Sequence, residues 1–276
     1  MFALHGLHRS LLVLALAAFT AGAATNAAAA QFEPQIGQPG KDVIWVPTPL
    51  PLIEKMLDAA KVTPNDFVID LGSGDGRTVI AAANRGARAL GIEYEPEMVE
   101  LSKKNAATAG VAARASFVKA DLFESDFSQA TVVTMYLMPE INLKLRPKIL
   151  DMKAGTRIVS HSFNMGDWRA DEVISWSDGS SYTRTAYFWI VPAKVDGVWR
   201  MAQGDLALTQ TFQMLSGALK IGGSATPISN AQLRGDQITF TAGDLEYSGR
   251  VSGNSMQGTF RGNGDGNWSA SRLGGR

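Results

Sequence analysis

The chain has 276 residues, with 26 Lys plus Arg against 26 Asp plus Glu, and it contains no cysteine. That length admits one or two domains with a sizeable core, and the charge balance removes the long-range attraction of a nucleic-acid binder or a polybasic membrane protein, so no nucleic-acid partner is expected. Without cysteine there are no disulfides, thiolate metal sites or thiol nucleophiles.

In chain order, His5, His8 and Arg9 precede the apolar run LLVLALAAF, and small residues follow up to AAAAQFEP. This pattern predicts a signal peptide over residues 1–30, cleaved after Ala30, and hence an exported, periplasmic protein. The apolar run is too short for a comfortable span of about 20 residues, and an uncleaved membrane anchor is the alternative. Residues 31–44, polar with Pro and Gly, suit a linker. Ile53, Met56, Leu57 and Ala60 then share one helical face, with Pro49 or Pro51 in the first turn.

From Phe67 the pattern alternates. FVIDL, RALGIE, ASFVKAD, TVVTMYL and TRIVSHSF read as strands, with helices over RTVIAAANRG, PEMVELSKKNAATAG and EINLKLRPKILDM between them. Such alternation predicts an α/β fold, a Rossmann-like, mostly parallel sheet with helices on both faces, over residues 45–192. VISW and YTRTAYFWIV read as a hairpin finishing the sheet. Residues 193–276 lose helical periodicity and predict a small antiparallel all-β module, a sandwich or barrel. In DLALTQTFQM, Leu206, Leu208, Phe212 and Met214 share a face, as do Ile238 and Phe240 in QITFT and Met256 and Phe260 in SMQGTFRG. Trp189, Trp199 and Trp268 read as core of this module.

The chemistry concentrates at DLGSGDG, residues 70–76, between the first strand and its helix. A phosphate-binding P-loop needs G-x-x-x-x-G-K-[ST], which is missing, and a dinucleotide fingerprint needs a third glycine where Arg77 stands. Gly72, Gly74 and Gly76 let the backbone press against a ligand, while Asp70 and Asp75 repel phosphate and favour a positively charged one.

The stretch FVIDLGSGDGRTVIAAA resembles the cofactor-binding motif of class I S-adenosylmethionine-dependent methyltransferases, and GIEYEPEMVELSKKNA and FVKADLFE continue the likeness up to about Trp168. The resemblance implies S-adenosylmethionine as cofactor, held by Asp70, Gly72, Ser73, Gly74 and Gly76, with Glu93 on the ribose hydroxyls and Asp121 on the adenine amine. A narrower likeness, through WVPTP, TMYLMPEINLKLRPKIL and TRIVSHSFNMGDW, is to small bacterial and mitochondrial methyltransferases that include protein-lysine methylating enzymes acting on membrane bioenergetic complexes. The expected reaction is methyl transfer to an amine, on a protein lysine or a small molecule, with an envelope or membrane protein among the expected partners.

On the acceptor side, Tyr136 and Glu140 follow the fourth strand, and His161 ends the fifth. Glu140 or His161 is a candidate for accepting the proton, although a satisfied structural histidine is the better reading of His161. Trp45, Pro47 and Thr48 are placed to close over the methionine end of the cofactor. A competing reading is an exported, non-catalytic binding protein on the same fold that contacts an envelope partner.

Overall fold

The computed structural model describes residues 32–179 and 181–274, and residues from Pro34 onward form one compact unit. The expected leader and its cleavage point lie outside the described residues. Among the described residues, no helix is long and apolar enough to cross a membrane.

Helix α1 (Leu50–Ala59) starts with Pro51 in its first turn, where a missing N–H leaves no bond unmade, and buries Leu52, Ile53, Met56 and Leu57. Strands and helices then alternate: β1 (Phe67–Leu71), α2 (Arg77–Asn84), β2 (Arg88–Glu93), α3 (Pro96–Thr108), β3 (Ala115–Lys119), β4 (Val132–Met135), α4 (Pro139–Leu150) and β5 (Arg157–His161). The hairpin β6 (Glu172–Ser177) and β7 (Thr183–Ile190) completes a sheet of order β3-β2-β1-β4-β5-β7-β6. Its first five strands are parallel and β7 runs antiparallel to β5.

Burial on both faces follows the two-residue period of a strand. Val68, Val132 and Val159 join the cluster under α1, α2 and α3, while Ile69, Val133 and Ile158 join the one under α4. The strand order reverses between β1 and β4, which opens a crevice at their carboxyl ends.

The remaining strands are β8 (Gly197–Met201), β9 (Gly204–Thr211), β10 (Met214–Ile221), β11 (Ser224–Arg234), β12 (Gln237–Ala242), β13 (Leu245–Ser252), β14 (Ser255–Arg261) and β15 (Gly266–Arg272). They close into an antiparallel barrel, β15 pairing with β8 and β9 with β10, which leaves no sheet edge unpaired. Gly217 lies where a Cβ would stand 1.9 Å from the Ala207 carbonyl oxygen, so the barrel turns there only with glycine. Inside, Phe240 stacks on Tyr247 at 4.6 Å and meets the edge of Trp268 at 5.7 Å.

Two expectations change. DLALTQTFQM is not one strand: a two-residue turn at Phe212 and Gln213 separates β9 from β10, with Phe212 at a φ of 53°. Leu206 and Leu208 are buried in the barrel, but Met214 is exposed and Phe212 packs on the core of the other domain. Alternation continues unbroken across a two-residue turn, which hid the break. Trp189 likewise belongs to the core beneath the parallel sheet, whereas Trp199 and Trp268 fill the barrel.

Phe240→Ala empties the centre of the aromatic stack, and urea denaturation is expected to show a loss of about 3–5 kcal/mol.

Candidate functional site

The crevice between β1 and β4 deepens into a cavity floored by the glycine turn after β1, and several neighbouring strand ends contribute to its walls. The turn is fixed by backbone bonds, since the N–H groups of Gly72 and Ser73 both donate to the Ile92 carbonyl at the end of β2. Gly72, Gly74 and Gly76 all adopt positive φ, which glycine reaches without a Cβ clash. A Cβ on Gly74 would stand 2.6 Å from Trp45 Nε1, so this position also admits the indole.

Glu93, at the carboxyl end of β2, is oriented by three backbone donors. Its Oε2 accepts from Gly74 N at 2.8 Å, and its Oε1 accepts from Tyr94 N and Glu95 N at 2.8 and 3.1 Å. Asp121, just beyond β3, accepts from Phe123 N at 2.9 Å and from Lys41 Nζ at 2.5 Å. Lys41 beside it, helped by the Phe123 N–H, holds its carboxyl below the usual carboxylate range.

Asp70 is buried at the end of β1 and receives the Thr134 hydroxyl from β4 at 2.6 Å. Burial raises its carboxyl to about 7; the charges of Glu93 and Asp75 push the same way, and the Thr134 hydrogen bond opposes them. Asp75 is paired with Arg77, whose guanidinium also donates to the Thr48 carbonyl. The residue in the third-glycine position therefore clamps the segment before α1 onto the loop.

Asp70, Gly72, Ser73, Gly74, Glu93, Asp121, Thr48 and Tyr136 all line the cavity. Gly76 does not; it precedes α2, where a Cβ would meet Phe117 and Ser102. Ser73 turns its side chain onto Gly91, and its buried hydroxyl has no partner. Residues read as linker, Gln38 to Ile44, run along the cavity wall. Lys41, Tyr94, Leu137, Met138 and Phe163 are further lining residues that strand-end reasoning missed. Lys41 was hidden within a polar Pro and Gly stretch, and Phe163 lies just past the last residue of β5.

The two candidate proton acceptors are not brought to this cavity. Glu140 is exposed on the first turn of α4. His161 is buried, and burial followed by the Arg184 charge lowers it to about 4, so its imidazole is neutral and weakly basic at neutral pH. Its Nδ1 lies 3.0 Å from Thr48 Oγ1, its Nε2 is buried without a partner, and the Tyr136 ring rests on it at 3.9 Å. His161 stands behind the two lining residues Thr48 and Tyr136.

The cavity lining thus contains residues of two unlike kinds. The acids at the ends of β1, β2 and β3 suit a cationic nucleoside, while Ile44, Val46, Tyr136, Met138 and Phe163 form an apolar and aromatic part. Among the described residues, no His and acid cluster suited to a metal ion is present.

Comparison with known proteins matches the chain to methyltransferases. The family model described as "ANTKMT methyltransferase domain" matches residues 70–172. A protein-lysine N-methyltransferase of Saccharolobus islandicus (strain REY15A) is 43% identical over 152 residues, covering 54% of this chain and 94% of that protein. The adenine nucleotide translocase lysine N-methyltransferase of Mus musculus is 33% identical over 124 residues, 44% of this chain; this chain spans 54% of the mouse protein. A crystal structure described as an RNA methyltransferase from Salinibacter ruber in complex with S-adenosyl-L-homocysteine has 47% identity and a TM-score of 0.51, covering 54% of this chain and 96% of that one.

The buried Asp70 has a sign-definite effect on stability. With its folded value raised to about 7, its contribution is full below about pH 4 and is lost as pH rises through about 7. Chemical denaturation of the ligand-free protein at about pH 5 and pH 8 is expected to show a fall that Asp70→Asn reduces.

Proposed function

The chain belongs to the S-adenosylmethionine-dependent methyltransferases that carry an ANTKMT methyltransferase domain, and on that footing we propose that its methyl acceptor is the side-chain amine of a protein lysine. The observation that carries this reading is that one cavity is lined both by the acids Asp70, Glu93 and Asp121 and by Ile44, Val46, Tyr136, Met138 and Phe163. The acids suit a cationic cofactor, and the apolar and aromatic lining suits the four-carbon stem of a lysine. The names of the Saccharolobus and mouse relatives point the same way.

In this reading Glu93 takes the ribose hydroxyls, Asp121 the adenine amine, and Asp70 with the glycine loop the cationic methionine end. S-adenosylmethionine supplies a methyl group on a sulfonium, and the protein's share is alignment and exclusion of water. Tyr136 and Phe163, 6.2 Å apart at an interplanar angle of 28°, flank the acceptor. The amine must arrive neutral, because only its lone pair attacks carbon; entry into the apolar part lowers its basicity and releases the proton to solvent. This route assigns no proton to Glu140 or His161. His161 instead backs Thr48 and Tyr136.

Ile44 and Met138 remain exposed at the cavity, and Leu50 is exposed at the start of the neighbouring α1. Such a rim suits an acceptor lysine on an apolar protein surface, and with the leader pattern of residues 1–30 it supports a membrane or envelope protein as partner. Fractionation of cells producing the tagged full chain tests the location. Recovery in the periplasm supports it, and recovery in the cytosol contradicts it.

Mass spectrometry of cells with and without this protein is expected to show methyl-lysine that depends on it. Methylated RNA nucleosides in its place, matching the description of the Salinibacter protein, contradict the lysine reading. Tyr136→Ala is expected to lower turnover by at least about tenfold while leaving S-adenosyl-L-homocysteine affinity within about twofold in calorimetry.

A further inference from the structure

The barrel meets the catalytic domain at the turn between β9 and β10, and also where Gly235 packs against Gly155 and Ile190. Phe212 at this turn stacks on Trp168 at 5.9 Å and 17°, and the Arg146 guanidinium of α4 lies 5.4 Å from the same ring. Gln213 beside it is buried, donates to the Arg169 carbonyl at 2.8 Å and accepts from Leu233 N of β11 at 2.7 Å. The turn is therefore held by the barrel on one side and by residues 168–169 on the other.

Those contacts reach the loop that follows β5. Arg146 donates to the Met165 carbonyl at 2.8 Å and pairs with Asp167, and Asn142, one turn earlier on α4 and fully buried, donates to the carbonyls of Phe163 and Asn164. The loop begins at Ser162, with a φ of 63°, and its next residue, Phe163, lines the cavity. Ser162 and Phe212 are two of only four non-glycine residues with positive φ among the described residues. Such backbone persists where surrounding contacts over-determine it, and here one lies at each end of a single chain of contacts.

We propose that Phe212 is a positioning residue, through which the barrel fixes the loop 162–168 and so the placement of Phe163 on the acceptor side of the cavity. The proposal rests on the reading of Tyr136 and Phe163 as the acceptor side. The Saccharolobus relative matches 152 residues of this chain over 94% of its own length.

The test is a fluorine NMR signal from 4-fluorophenylalanine placed at position 163 of the full chain, compared among the otherwise unchanged chain, Phe212→Ala and Phe212→Tyr. S-adenosyl-L-homocysteine affinity and melting temperature are measured on each. The expected result is a resonance shifted and broadened by Phe212→Ala and restored by Phe212→Tyr, with cofactor-product affinity changed by less than about twofold. A purely stabilising Phe212 lowers the melting temperature and leaves the resonance in place, and that result overturns the proposal. The signal reports the linkage whatever the acceptor proves to be, so a failure of the lysine reading and a failure of this one are told apart.

Discussion

The site depends on the carboxylate of Glu93. By accepting from Gly74, Tyr94 and Glu95 it ties the glycine loop after β1 to the end of β2 and orders the start of α3. Those three bonds also leave the carboxylate no freedom to turn away from the cavity. The loop is bonded further to the Ile92 carbonyl, and its own carbonyls at Gly74 and Asp75 accept from the Ser102 hydroxyl and the Asn105 amide of α3. With the loop set, the N-terminal segment settles on it, Trp45 against Gly74 and Thr48 under the Arg77 clamp.

The charges follow an order imposed by burial. Asp121 and Asp75, nearer to solvent, carry their own cations, Lys41 and Arg77. Asp70 lies deepest and has only hydroxyl donors, so its ionised form is the least favourable of the set. A cationic ligand supplies what this carboxyl lacks, and a neutral one does not. That asymmetry is a physical means of preferring a sulfonium over the thioether it becomes.

Much of this was legible in the sequence because it is local. The strand, glycine turn and helix at residues 67–84 are written within one short stretch, and Glu93 and Asp121 stand at the strand ends where the family resemblance implies them. What escaped depends on distant partners. Lys41 reads as linker until Asp121 is placed beside it, Phe212 continues an alternating pattern although its ring serves the other domain, and the base reading of His161 lapses only once Thr48 and Tyr136 cover it. The choice between sandwich and barrel was likewise left open, since it turns on β8 joining β15 across most of the module's length.

The central claim is that the acidic floor of the crevice is built for a cationic cofactor, with Asp70 ionising as the cation arrives. Calorimetric titration of the full chain with S-adenosylmethionine and with S-adenosyl-L-homocysteine, at about pH 7 in buffers of different ionisation heat, counts the protons released on binding. The account predicts saturable binding of both, with more proton release for S-adenosylmethionine and loss of that difference in Asp70→Asn. Absence of binding, or equal proton release for the two ligands, contradicts it.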